Sequence, residues 1–289
     1  MISPHVRRQR LAHELNTLRR ARGYTTARMA SVIGVSRQHV SRLLNGHVAP
    51  DADEIAQLLT HFEVPPDQQE SLLTIARQAA VSGWWEPMAE TIGRRQALYA
   101  NLEAGARQIA EYQMTLIPGL LQIPPFTEAR CRVDFAAHRK PFDSASAVEA
   151  RLLRQQAVHR DGGPTYEVVL DELAIRRRAA PIDVVIAQLD HLVHLGHSSQ
   201  ATRIRVLRLS AEIKDDALPL SSFSIYRYPD PDDPVVVAIE AEVSDQVIAT
   251  SPAVDFYVEL HQRLAQAAMT ASDSLDFLAT VAEEMRTGR

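Results

Sequence analysis

The 289-residue chain has only one cysteine. Cys131 has no partner for an internal disulfide, so a reducing cytoplasm is the expected compartment and a small core residue the expected role. Long apolar runs are absent too. None approaches the roughly 18–20 residues that a membrane span needs, and the opening MISPHVRRQR carries no signal-peptide core, so no membrane partner is expected. The chain has no glycine-rich phosphate loop, no His-Glu-x-x-His, no Gly-x-Ser-x-Gly and no second cysteine for a thiolate zinc site. These absences argue against an enzyme: we expect no catalytic residues and no cofactor. His191, His194 and His197 form the one metal-like cluster. On a helix only the first two share a face, and a polar helix end is the plainer reading, so no metal is expected.

What is present describes a globular protein. Hydrophobic residues make up 46% and charged residues 23%, and the length suits one small and one ordinary domain. The net charge of −5 hides an asymmetry. Residues 1–50 hold nine arginines against the single acid Glu14, a net +8, which leaves −13 for residues 51–289. A basic head on an acidic body suits a protein that meets a polyanion with one end only.

The stretch Tyr24 to Gly46 organises that head. Ala30 is small enough for two helices to cross over it, and Gly34 stands where the chain must reverse. Met29, Ile33, Val35, Val40 and Leu43 supply apolar contacts, Ser36 suits the N-cap of a second helix, and Asn45-Gly46 stops it. The register is that of a helix-turn-helix. A helix is predicted before it, from about Gln9 to Ala21, and two after it, one capped by Asp51 or Asp53 and one following Pro65-Pro66 to about Ala80.

At these residues the chain resembles the lambda-repressor-like, or XRE, regulators. It shows Tyr24-Thr25-Thr26, Met29-Ala30, Ile33-Gly34-Val35-Ser36, Val40-Ser41 and Leu44-Asn45-Gly46 in the family's order, with Thr26 where that family commonly has a phosphate-clamping glutamine. The resemblance implies a five-helix head over residues 1–80 that binds double-stranded DNA. It also implies base contacts from Arg37, Gln38 and Arg42, with His39 and Ser41 as weaker candidates. Arginine can pair bidentately with guanine and glutamine with adenine. Thr26, Asn45 and His47 sit where the family meets phosphates, and Arg19 and Arg20 could reach the backbone. One short helix reads few base pairs, so a homodimer on half-sites about 34–36 Å apart is expected.

Residues 81–92, with Trp84-Trp85, read as a linker whose indoles pin head to body. Residues 93–289 read as an α+β domain with a small, largely antiparallel sheet. A helix is predicted over Arg94 to Tyr112, then a Pro118-Gly119 corner and helices near 125–137 and 144–158. Strands are predicted at Tyr166–Leu170, Ile204–Leu209, Phe223–Tyr228 and Val235–Ile239, with a helix at 182–195 and two more closing the chain.

Trp84-Trp85, Glu103-Ala104, Pro118 to Gln122, Leu170-Asp171-Glu172 and the Tyr228-Pro229-Asp230-Pro231 turn resemble the C-terminal domain of WhiJ-like regulators of actinobacteria; Ile123 and Phe126 depart from that pattern. The resemblance implies a transcriptional regulator, cytoplasmic and nucleoid-associated when on DNA. Its body would sense a small acidic protein encoded by a neighbouring gene, or a small-molecule effector. Glu103, Pro118, Gly119, Gln122 and Glu172 are the candidate pocket residues. The competing reading is the DNA-binding half of a toxin–antitoxin-like pair that regulates its own operon.

Overall fold

The computed structural model describes residues 2–138, 144–241, 245–249 and 252–288. The head opens with α1 (Pro4–Ala21). Ser3 caps it by accepting from the Val6 N–H, and Pro4 suits a first turn that has no use for its missing N–H. That cap starts the helix at Pro4 rather than at the expected Gln9. Next come α2 (Thr26–Ile33), capped by Thr25, and α3 (Arg37–Leu44), capped by Ser36, whose side chain accepts from the His39 N–H. Gly34 takes φ +68 between them, a left-handed turn that a side chain would strain. Asp51 accepts from two backbone N–H groups to cap α4 (Ala52–His61), and α5 (Pro66–Ala79) completes five helices. They enclose their own core of Leu11, Leu15, Met29, Val40, Leu58 and Phe62.

The stretch expected as a linker is helical over α6 (Trp85–Ile92). Trp85 is buried against Ile92, Ala97, Ala100, Ala104 and Ala150, so it anchors α6 to the body. The body continues with α7 (Arg94–Ala104) and β1 (Gln108–Gln113). The single helix expected over residues 94–112 is therefore corrected to a helix and a strand. Its apolar spacing ran on into residues that are central in the sheet. The break falls at Gly105, where an added Cβ would lie 2.3 Å from the Ser3 backbone nitrogen.

A 3₁₀ turn at Gly119–Leu121 precedes α8 (Pro124–His138) and α9 (Ser144–His159). Then follow β2 (Thr165–Asp171), α10 (Glu172–Arg176), α11 (Ile182–Ser198) and β3 (Thr202–Leu207). The chain ends with β4 (Phe223–Arg227), β5 (Val236–Ile239), β6 (Gln246–Ile248), α12 (Ala253–Ala267) and α13 (Ala271–Thr287).

The α+β body holds one mixed sheet in the order β3-β2-β1-β4-β5-β6. Helical crossovers return β2 and β3 parallel to β1; a longer segment, 208–222, then carries the chain past β2 and β1 to β4, which pairs β1 antiparallel, and shorter connections add β5 and β6 antiparallel. Side chains alternate across it. Val168 and Val206 share a core with α11 and α13, and Ala238 belongs to the same core, while Val169, Ile225 and Val237 share a second core with α12.

Head and body share α1. Leu11 and Leu15 belong to the head core, but Val6 packs in the body core with Tyr99 and Leu102.

Candidate functional site

The exposed surface of α3 follows from its apolar spacing. Val40, Leu43 and Leu44 turn inward, which leaves Arg37, Gln38, Ser41 and Arg42 exposed together on the opposite face. None of the four side chains has a partner among the described residues. His39 is different: its Nε2 lies 3.0 Å from Glu54 Oε2, which ties it to α4. Of the backbone-contact candidates, Thr26 is half-exposed and Arg20 and His47 are exposed. Asn45 spends its amide on the Ser41 carbonyl at 2.7 Å, and Arg19 donates to the Tyr24 carbonyl at 3.0 Å.

The other arginines of the basic head divide by position. Arg28 stacks 4.0 Å from the Tyr24 ring centre, and Arg22 reaches Glu63 at 3.4 Å. Those at the start of α1 turn to the body. Arg7 and Arg10 both meet Asp230, at 2.9 and 2.7 Å, and both meet Asp233, while Arg10 also meets Asp232 at 3.0 Å. Burial works to raise the Asp230 pKa, but hydrogen bonds from Arg7, the Asp232 backbone N–H and Arg10 hold it at about 2. Part of the positive charge legible in residues 1–50 thus holds the two domains together. Arg8 donates to the Ala79 carbonyl at 2.9 Å and reaches Glu86 at 3.4 Å, while Arg37 and Arg42 lie exposed on α3.

In the body, a cavity of about 200 Å³ opens over the face of the sheet that α7 and α9 cover. Its floor carries Glu111 and Gln113 of β1, Ser224 and Tyr226 of β4, and Glu240 just beyond β5. Gln113 Nε2 donates to Glu111 Oε1 at 2.8 Å and to Glu240 Oε1 at 2.9 Å, which holds two carboxyls close together. Tyr166 donates its hydroxyl to Glu111 Oε2 at 2.5 Å. Burial, then the proximity of Glu240, pushes Glu111 up to about 7.

The walls come from α7, α8, α9 and the corner at Pro118-Gly119. Arg154 clasps Glu103 with two hydrogen bonds, at 2.8 and 2.5 Å, a bidentate pair that is almost wholly buried. Arg151 donates to Gln122 Oε1 and lies over Gly119, where an added Cβ would come within 3.3 Å of its guanidinium carbon. Gln122 in turn donates to the Ile117 carbonyl at 2.6 Å, and Gln155 donates to the carbonyls of Gly119 and Gln122. The corner is held rigidly at the cavity mouth.

The structure thus brings Glu103, Pro118, Gly119 and Gln122 to one cavity and places Glu172 elsewhere. That is a correction to the expected set. Glu172 bonds Arg176 and Arg208 at 2.7 Å each and the Leu209 N–H at 3.1 Å, so it fixes α10 to the end of β3. Sequence reading missed Glu111 because it fell within an expected helix. It missed Arg154 although a signal existed: a charge four residues from both Ala150 and Val158, inside an apolar stripe.

These features define a helix-turn-helix head of the DNA-binding regulator type on an α+β body with its own polar cavity. Residues 10–72 match the family model of a Helix-turn-helix domain, and residues 96–280 match that of the Domain of unknown function (DUF5753). The second match spans more than half of the chain, which belongs to the DUF5753 family. No curated protein matches it.

Proposed function

We propose that the protein is a homodimeric, sequence-specific transcriptional regulator whose body senses a small molecule in the cavity and alters how the head meets DNA. The observation that carries the DNA-binding part is the exposed set on α3. Arg37, Gln38 and Arg42 project from one short helix with no partner among the described residues, and His47, three residues beyond that helix, and Arg20 are exposed as well. Buried polar groups would be paired within the chain; these are offered outward. Dimerisation is inferred from the eight residues of α3, too few to specify an operator alone. The WhiJ-like resemblance of the body supports the sensing role.

Helix α7 supplies a route for that sensing. Tyr99 and Glu103 line the cavity, while on the same helix Asn101 Oδ1 accepts from the Ser3 hydroxyl at 2.9 Å and from the His5 N–H at 3.1 Å. A ligand that moves α7 therefore acts on the root of α1, which runs on into the head core. Such a ligand shifts DNA affinity by as much as it favours one head arrangement over another.

Substitution separates base readout from phosphate attraction. Arg42→Ala or Arg37→Ala is expected to cost about 1–3 kcal/mol on a preferred site and to relax preference at one base position. Arg20→Ala is expected to weaken all sequences alike and to lower the salt dependence. Identical behaviour of the two classes would refute α3 as the recognition helix.

A further inference from the structure

Each charged group that lines the cavity is engaged within the chain. Arg154 pairs with Glu103, and Arg95 pairs with Asp245 at 2.7 Å and with Glu240 at 3.7 Å. Arg151 donates to Gln122, and Arg130 donates to the Ala179 carbonyl. Glu111 keeps its proton up to about pH 7, because burial and then Glu240 raise its pKa. A charged ligand therefore meets no idle charge of opposite sign, and its own charge would leave water without a partner. What is idle is neutral. Ser224 and Tyr226 stand two residues apart on β4, so both face the cavity from the sheet, and each is only 2% exposed. Neither hydroxyl has a hydrogen-bond partner among the described residues, whereas buried polar groups are as a rule paired. Ser224 lies directly across from Glu111 in the register of β1 and β4. Leu116, Ile117 and Pro118 add an apolar patch to the lining. The volume is that of about six or seven liquid waters, which suits a single ring and no polymer segment.

We infer that the cavity binds an uncharged polyhydroxyl ring, of monosaccharide or cyclitol size, with its hydroxyl rim on Ser224 and Tyr226 and its C–H face toward the corner at Pro118. The inference rests on the sensing reading above only for the place of the site in regulation, not for its chemistry. A hydroxyl donates and accepts at once, so it can satisfy Ser224 and Tyr226 and still join the carboxyl, amide and guanidinium groups beside them without upsetting their charge balance. A purely apolar ring would leave the two hydroxyls buried and unpaired. A ring with hydroxyls on its rim and C–H groups on its faces meets both parts of the lining.

The test titrates the full-length chain calorimetrically below pH 7, where Glu111 holds its proton. The probes are four neutral rings, glucose, galactose, mannose and myo-inositol, and two charged rings, cyclohexanecarboxylate and cyclohexylamine. At least one neutral ring should bind about tenfold or more tighter than either charged ring. Tyr226→Phe and Ser224→Ala remove hydroxyls that the chain itself does not use. Each should weaken that binding about tenfold while the melting temperature stays near wild type. Tighter binding of a charged ring would overturn the ligand class. So would the absence of binding by all four neutral rings at about 10 mM, which would leave the two hydroxyls to water. Unchanged binding in both variants would overturn the site. DNA anisotropy read in the same samples keeps the two readings apart. A bound neutral ring that leaves the DNA curve unchanged contradicts sensing and leaves the ligand class standing.

Discussion

At Glu111 a carboxyl sits on the central strand, buried from water, with its pKa pushed up to about 7 by burial and by nearby Glu240. In the unfolded chain it titrates near 4.5, so between those values only the folded protein keeps the proton. Its favourable contribution is therefore fully present below about 4.5 and is lost as pH rises through about 7. Glu111→Gln should flatten this part of the pH dependence and stabilise the protein by about 1–2 kcal/mol at pH 8, measured by denaturant melts at pH 5 and pH 8. A residual slope should remain from Glu240, whose pKa burial also raises. Loss of stability at both pH values would show that the charged form is the one the fold requires.

Among the elements, the head was the most legible. Cap, turn glycine and apolar spacing all act within a few residues, so Ser36, Gly34 and Val40 announce their roles locally. The body was legible in its helices and in most of its strands, but not in how they pair. The helices between β1, β2 and β3 were the available sign of parallel crossovers. β1 itself was hidden because Leu98, Leu102, Ala106 and Ile109 keep a helical spacing across the break. What ends α7 is a contact with the start of the chain, which no local pattern records. Gly105→Ala places a methyl group against the backbone of Ile2 and Ser3, so it should cost about 1–3 kcal/mol. A thermal melt checks this; an unchanged melting temperature would mean that α1 is not seated there.

For the whole molecule, the charge asymmetry was visible in composition, but its division was not. Composition cannot tell an arginine facing DNA from one facing Asp233. Arg7 and the Asp233 side chain keep only 9% and 4% exposure, so this pair is shielded from salt more than a surface pair would be. Arg7→Ala leaves the aspartates without that partner, and we expect a loss of about 1–3 kcal/mol and faster proteolysis between α5 and α6. Asp230→Asn should act in the same direction, because hydrogen bonds from Arg7 and Arg10 hold its carboxyl ionised. If neither variant changes stability or cleavage, the Arg7 pairs do not hold the domains together, and Val6 with the Asn101 bonds to Ser3 and His5 does so instead.

The central claim is that α3 reads bases. The most direct measurement is a fluorescence-anisotropy titration of the purified chain against its own upstream DNA and a scrambled control, at two salt concentrations. The account predicts a preference for its own DNA that survives the higher salt, because base contacts release few counterions. Equal binding to both DNAs, falling steeply with salt, would contradict it and leave the arginines with non-specific attraction only.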